Sequence, residues 1–136
     1  MKIDLAYGIP AIFSAIGTII TAQLGGWDML IQILVFFVIL DYITGVLSGI
    51  KNKKLSSDIM YWGGIRKAIT LVVIMIAVMF DSMLNNSEPV FRTIALYFYI
   101  GREGLSIIEN LGTLGVPLPA FIKSTINQIV KRGGKQ

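Results

Sequence analysis

Between Leu5 and Trp27 the chain carries no charged residue. A helix needs about 20 predominantly apolar residues to cross roughly 30 Å of hydrocarbon, so this run is long enough to span. Its Ser14, Gly17, Thr18, Thr21 and Gly25 recur at helical spacing. Such small, weakly polar stripes are what closely packed membrane helices present to one another. Further apolar segments follow at Met29–Ile50 and around Ala68–Phe80. The chain has 136 residues, 54% of them hydrophobic and only 15% charged, with a mean hydropathy of +0.73. A soluble domain of this size has too much surface to hide that apolar content. The expected fold class is all-α: one polytopic membrane domain over residues 1–136. A cleaved leader is not expected, because Asp4 spoils the basic start offered by Lys2 and further spans follow.

The predicted spans lie near 5–26, 29–50, 60–84 and 90–110, followed by a short amphipathic helix near 120–131 on the membrane surface. Pro10 falls near the start of the first, where a missing N–H is tolerated. Gly25-Gly26 breaks that helix, and Trp27 suits an interface. Lys51–Lys54 begin a basic loop, with Ser56 or Ser57 available to cap the third helix. Gly63-Gly64 permits a bend. Asn85-Asn86-Ser87-Glu88-Pro89 is a turn. The fourth segment is the least apolar, since Arg102, Glu103 and Glu109 fall within its helical pattern; a helix lying partly in the interface is the rival reading. In the last helix Phe121, Ile122, Ile126, Ile129 and Val130 face one way, with Lys123, Asn127 and Lys131 opposite.

Basic residues set orientation. The net charge of +4 is clustered at Lys2, between Lys51 and Lys67, and from Lys123 to Lys135. Four spans bring all three clusters to one side and place both termini in the cytoplasm. Anionic lipid is the expected contact of those clusters. Nucleic acid is not expected, because the basic residues lack interleaved aromatics.

The chain has no Cys and no His, which removes thiol chemistry, imidazole bases and most transition-metal sites. It has no phosphate-binding glycine loop and no dinucleotide fingerprint. Neither an enzyme nor a cofactor is expected. What remains is a set of ionisable residues within helical segments. Asp41, Thr44, Gly45, Ser48 and Gly49 share one face of the second segment, either a helix-packing face or the lining of a polar path. A carboxylate there costs roughly 2.5–3.5 kcal/mol on insertion scales, so it should face protein or water. Arg66, Lys67, Asp81, Arg102, Glu103 and Glu109 are candidates for charge pairs between helices, with Arg66 a candidate partner of Asp41, and Arg102 of Glu103 or Glu109.

The segment LDYITGVLSGIKNKKLSSDIMYWGGIRKAITLVVIMIAVMFD resembles the toxin secretion/phage lysis holin family: Asp41-Tyr42, Gly45, the basic Lys51–Lys54 loop, Leu55-Ser56-Ser57, Gly64 with Arg66-Lys67, and the closing Asp81. A second block, FYIGREGLSIIENLGTLGVPLP, is similar to the family's second signature through Glu103-Gly104-Leu105-Ser106-Ile107, Glu109-Asn110, Gly115-Val116-Pro117 and Pro119. Gly101-Arg102 departs from it, where a small or amide residue is expected. The resemblance covers about Met29 to Lys131. It implies a phage or prophage holin, a homo-oligomer that opens lesions in the cytoplasmic membrane and releases endolysin or a large toxin without binding that cargo specifically. In an assembled ring Asp41 would meet water and ionise. The alternatives are a small dimeric secondary transporter with Asp41 as its coupling carboxylate, and a non-conducting antiholin or scaffold.

Overall fold

The computed structural model describes residues 5–134. Expectations resting on Lys2, Asp4 and Lys135 lie outside the described residues. Five helices fill the chain: α1 Leu5–Gln23, α2 Met29–Lys51, α3 Ser57–Met83, α4 Val90–Thr113 and α5 Ala120–Gly134. The all-helical reading holds. By length and composition three helices can cross a membrane: Ala6–Gln23, Met29–Lys51 and Ser57–Met83. The protein is a membrane protein on this composition.

Local chemistry sets the helix ends. Gly25 and Gly26 take φ of +80° and +106°, a backbone region that side chains with a Cβ rarely enter, and so stop α1. The carboxylate of Asp28 then accepts from Ile31 N at 3.1 Å and caps α2. Ser56 caps α3 by accepting from Ile59 N at 3.2 Å. Gly115, at φ +81°, closes α4. One expectation changes here: Pro10 stands inside α1 and not in its first turn. At the Gly63-Gly64 pair α3 stays helical.

The least apolar long helix, α4, is at the centre, packed on α2, α5 and α3. This explains its composition: a helix surrounded by protein need not present lipid-compatible side chains all round. Leu24, Ile31, Leu34, Ile74, Leu96 and Ile100 form the buried apolar cluster. The described part of α1 is exposed along nearly its whole length. Only its end touches the bundle, through Leu24.

Helix α5 is amphipathic, as expected, but the middle of its apolar face, around the buried Ile126, is occupied by α4, while Phe121 stays exposed. A Cβ added at Gly104 would fall 2.6 Å from Ile126 Cδ1, one at Gly101 3.0 Å from Val130 Cγ2, and one at Gly133 2.9 Å from Phe98 Cα. Residue numbers rise on one helix as they fall on the other, so the pair is antiparallel. The missing side chains of Gly101 and Gly104 form the groove that lets α5 approach.

Candidate functional site: a buried ionic centre

Each of the three inner helices carries one ionisable residue at mid-length on its buried stripe. On α2 the stripe runs Ile31, Leu34, Asp41, Thr44; on α3 Thr70, Ile74, Ala77, Asp81, continued one turn earlier by the partly buried Lys67; on α4 Arg92, Leu96, Ile100, Glu103. At 1.5 Å per residue, Asp41, Lys67 and Glu103 each lie roughly 20 Å from the helix end near Asp28, Met83 or Val90. They converge. The ammonium of Lys67 donates to Asp41 Oδ2 and, at 2.7 Å, to Glu103 Oε2. Asn110 Nδ2 donates to Asp41 Oδ1 at 2.9 Å and to Thr44 Oγ1 at 3.0 Å. The Asp41 and Glu103 side chains are only 7% and 6% exposed, so both carboxylates depend on one cation and one amide for their stability. Among the described residues no buried side-chain polar atom lacks a partner.

A second polar cluster closes the end of the bundle that holds the Leu24–Asp28 and Leu84–Pro89 connections. Arg92, 4% exposed, donates from Nε to Leu24 O at 2.6 Å and from Nη1 and Nη2 to the Asp28 carboxylate at 2.7 and 3.1 Å. Asp81 accepts Phe91 N and Arg92 N at 3.0 and 2.8 Å, and also Asn86 Nδ2 at 2.9 Å. It therefore does for α4 what Pro89, which makes no side-chain cap bond, cannot. A negative charge at a helix N-terminus is favourable for the same reason the cap is. The Arg92 guanidinium beside Asp28 holds that carboxyl below its ordinary range. At the opposite end Lys51 Nζ donates to Thr113 O at 2.8 Å and ties α2 to α4.

The structure thus joins Asp41, Lys67 and Glu103, and brings Thr44 beside them. It does not join the other expected pairs. Arg66 was a candidate partner of Asp41, but it projects off the buried stripe and is exposed, and the adjacent Lys67 takes the role. Arg102 and Glu109 are also exposed and form no ion pair among the described residues. Asp81 accepts backbone N–H groups and enters no ion pair among them. Gly45 and Gly49 do allow close approach, but within one subunit: added Cβ atoms would lie 3.6 Å from Asn110 Nδ2 and 3.1 Å from Leu55 Cδ1. Ser48 on the same face is partly buried.

Clefts of about 420 and 210 Å³ flank the ionic centre, both touching Asp41 and Lys67. The arrangement is that of a helical membrane bundle locked in register by a shared ion pair, with clefts of mixed, mainly apolar lining reaching the lock.

Comparison with known proteins says which bundle it is. The family model of the bacteriophage holin family matches residues 18–131, and this chain belongs to that family. It is 36% identical over 109 residues to a protein named "Probable holin" from Bacillus phage phi105, covering 79% of each chain. Two uncharacterized proteins of Clostridium perfringens are 46% and 44% identical, over 84% and 85% of this chain and 84% and 87% of their own. No solved structure matches. The holin family is not an enzyme family. The match runs from inside α1 to Lys131, so the ionic centre, Arg92 and all but the last turn of the α4–α5 pair fall within it.

Proposed function

We propose that this protein is a holin of a bacterial cytoplasmic membrane: it accumulates there, assembles with copies of itself, and opens lesions that pass endolysin or a large toxin. Family membership carries the reading, and the build of the bundle supports it. Three buried ionisable groups at mid-depth are costly in any membrane helix. Here their cost is offset only while α2, α3 and α4 stay packed, which gives a closed subunit whose polar interior becomes available when helices part. That is a bistable element of the kind a timed opening requires. Asp41 remains the residue on which assembly and hydration would act, through its bond to Lys67.

The same geometry supports a reading with four crossings. The Val90 end of α4 lies against Leu24 and Asp28 at the start of α2, and its Thr113 end is bonded to Lys51 at the other end of α2. If α2 crosses the membrane, α4 traverses the same thickness, with protein covering its polar faces. The Lys51–Lys54 loop and the α4–α5 connection then share the cytoplasmic side, in keeping with the positive-inside rule, and the N-terminus lies on that side too. Cysteine introduced at Ser87 should react with an impermeant reagent from outside intact cells, and cysteine at Lys53 should not. The reverse pattern removes this topology.

The functional test is induced expression with a potential-sensitive dye. A holin collapses the membrane potential abruptly after a delay. The transporter alternative moves a substrate across membranes that stay sealed, and a scaffold or antiholin does neither.

A further inference from the structure

The outward face of α5 is cationic. Lys123, Asn127 and Lys131 form one exposed line, Arg132 is exposed beside them, and no acidic residue occurs between Ala120 and Gly134. Its inward face is seated on α4 through Ile126, Val130 and Gly133. Gly133 meets Phe98, which at 1.5 Å per residue lies only about 12 Å from the Val90 end of α4. The helix that follows the Gly115 turn therefore climbs back along α4 for most of α4's length.

This docking conflicts with lipid around the subunit. If α4 crosses the membrane, α5 beside it carries Lys131 and Arg132 deep into the same layer, and each charge facing hydrocarbon costs about 2.5–3.5 kcal/mol on insertion scales. Snorkelling to the cytoplasmic surface serves Lys123, near the start of α5, but not residues further in. Two further charges border the neighbouring groove. A cleft of about 500 Å³ between α4 and α5 has a mainly apolar floor of Phe98, Leu105 and Val130, with Arg102, Ser106 and Glu109 at its border, and Arg102 and Glu109 are both exposed. By contrast, the exposed residues of α1 and the outer sides of α2 and α3 are largely apolar, among them Phe13, Ile19, Phe36, Ile43, Val72 and Met79. The subunit has one lipid-compatible side and one that needs water.

We propose that α5 is a re-entrant helix that stays docked on α4 in the open lesion and turns its cationic face to the aqueous lumen. The lumen wall is then the α4–α5 side, with Arg102 and Glu109 between the two helices, and the ionic centre of Asp41, Lys67 and Glu103 stands behind it as a brace that yields when water reaches Asp41. This rests on the holin reading and on α4 crossing the membrane.

The native chain has no cysteine, so paired substitutions test the docking directly. In Gly104→Cys/Ile126→Cys the shortened residue 126 removes the atom that a Cβ at 104 would strike, and Gly101→Cys/Val130→Cys is a second pair should the first perturb folding. In membranes, at least one pair should oxidise to an intramolecular disulfide, and the oxidised protein should collapse the potential within about twofold of the time taken by its reduced form. Separately, Asn127→Cys and Lys131→Cys should react with an impermeant charged thiol reagent once the membrane has opened, and Ile126→Cys should not. The proposal is overturned if neither pair crosslinks, if the crosslinked protein opens only after reduction, or if the residue 127 and 131 cysteines stay unreactive in opened membranes. Failure of the holin reading is separable: it appears in the unmodified chain, which would never collapse the potential, whether or not the disulfides form.

Discussion

Lys67→Met is expected to abolish function by breaking the fold. Methionine is close to lysine in length but supplies no charge, leaving Asp41 and Glu103 buried with no cation between them. Removing one partner of a buried ion pair costs about 3–5 kcal/mol, and here two carboxylates lose the same partner. The variant should insert, because α2 and α3 stay apolar, but it should lose the packing of α2 and α3 on α4. Limited proteolysis of membranes should show cleavage at loops the native protein protects, and no lysis should follow. The charge arithmetic predicts a contrast. Asp41→Asn leaves Lys67 and Glu103 as a one-to-one pair, and the amide oxygen introduced at position 41 can still accept from Lys67. That variant should fold and accumulate normally, with lysis delayed or abolished because the brace no longer responds to hydration of a carboxylate there; Asp41→Glu should have the smaller defect. Combining Lys67→Met with Asp41→Asn and Glu103→Gln should restore protease resistance, because no buried charge is then left uncompensated. If Lys67→Met is as protease-resistant as the native chain, the ionic centre does not hold the helices together.

The second large effect is expected at Arg92. Its guanidinium is the main tether of α1, bonding Leu24 O, Gly26 O and the Asp28 carboxylate, and it fills the space beside Gly25, where an added Cβ would lie 2.6 Å from Nε. Arg92→Met strips the buried Leu24 carbonyl of its donor, at about 1–3 kcal/mol for an acceptor left unsatisfied, and leaves the half-exposed Asp28 carboxylate to water and Ile31 N. The Leu24–Asp28 elbow should become the first site of proteolysis, with α1 released from the bundle while α2–α5 remain packed. Arg92→Lys should rescue only in part, since an ammonium cannot reach a carbonyl and both carboxylate oxygens in one plane. The pH dependence has a defined sign. Arg92 depresses the Asp28 pKa below its ordinary value of 3.8, so this pair contributes its full stability above that value and loses it as pH falls through the lowered one. Wild type and Asp28→Asn should therefore differ by a constant amount from neutrality down to about pH 4, and converge in stronger acid. The gap should be small, because the Asp28 side chain is 51% exposed.

Helix positions were largely legible in the sequence because uncharged runs and glycine-rich breaks are strong local signals. Segment ends moved by a few residues: α1 stops at Gln23 where Leu24 begins the turn, and α3 starts at Ser57 under the Ser56 cap. Asp41 was legible as a residue that must face protein. Its partner was not, since Arg66 and Lys67 are adjacent and only register decides between them. The deciding signal was periodicity: Lys67, Thr70, Ile74, Ala77 and Asp81 recur at three and four, so Lys67 shares the buried stripe and Arg66 does not. Arg92 was not among the candidate charge pairs, yet it shares the α4 stripe with Leu96, Ile100 and Glu103. The seat of α5 on α4 was beyond sequence reading. An amphipathic helix presents the same pattern whether its apolar face meets lipid or protein, and Gly101 and Gly104 declare themselves as a groove only once α5 lies in it.

A holin of the kind proposed opens passages wide enough for folded protein. A folded cytosolic reporter enzyme, expressed beside this chain in cells weakened to release it once the membrane is breached, can be followed together with membrane potential. Both should change in one abrupt event after a delay, the event should come later or never with Asp41→Asn at equal protein level, and no reporter should escape before it. A potential that falls gradually while the reporter stays inside, or that never falls at native abundance in the membrane, would contradict the holin reading.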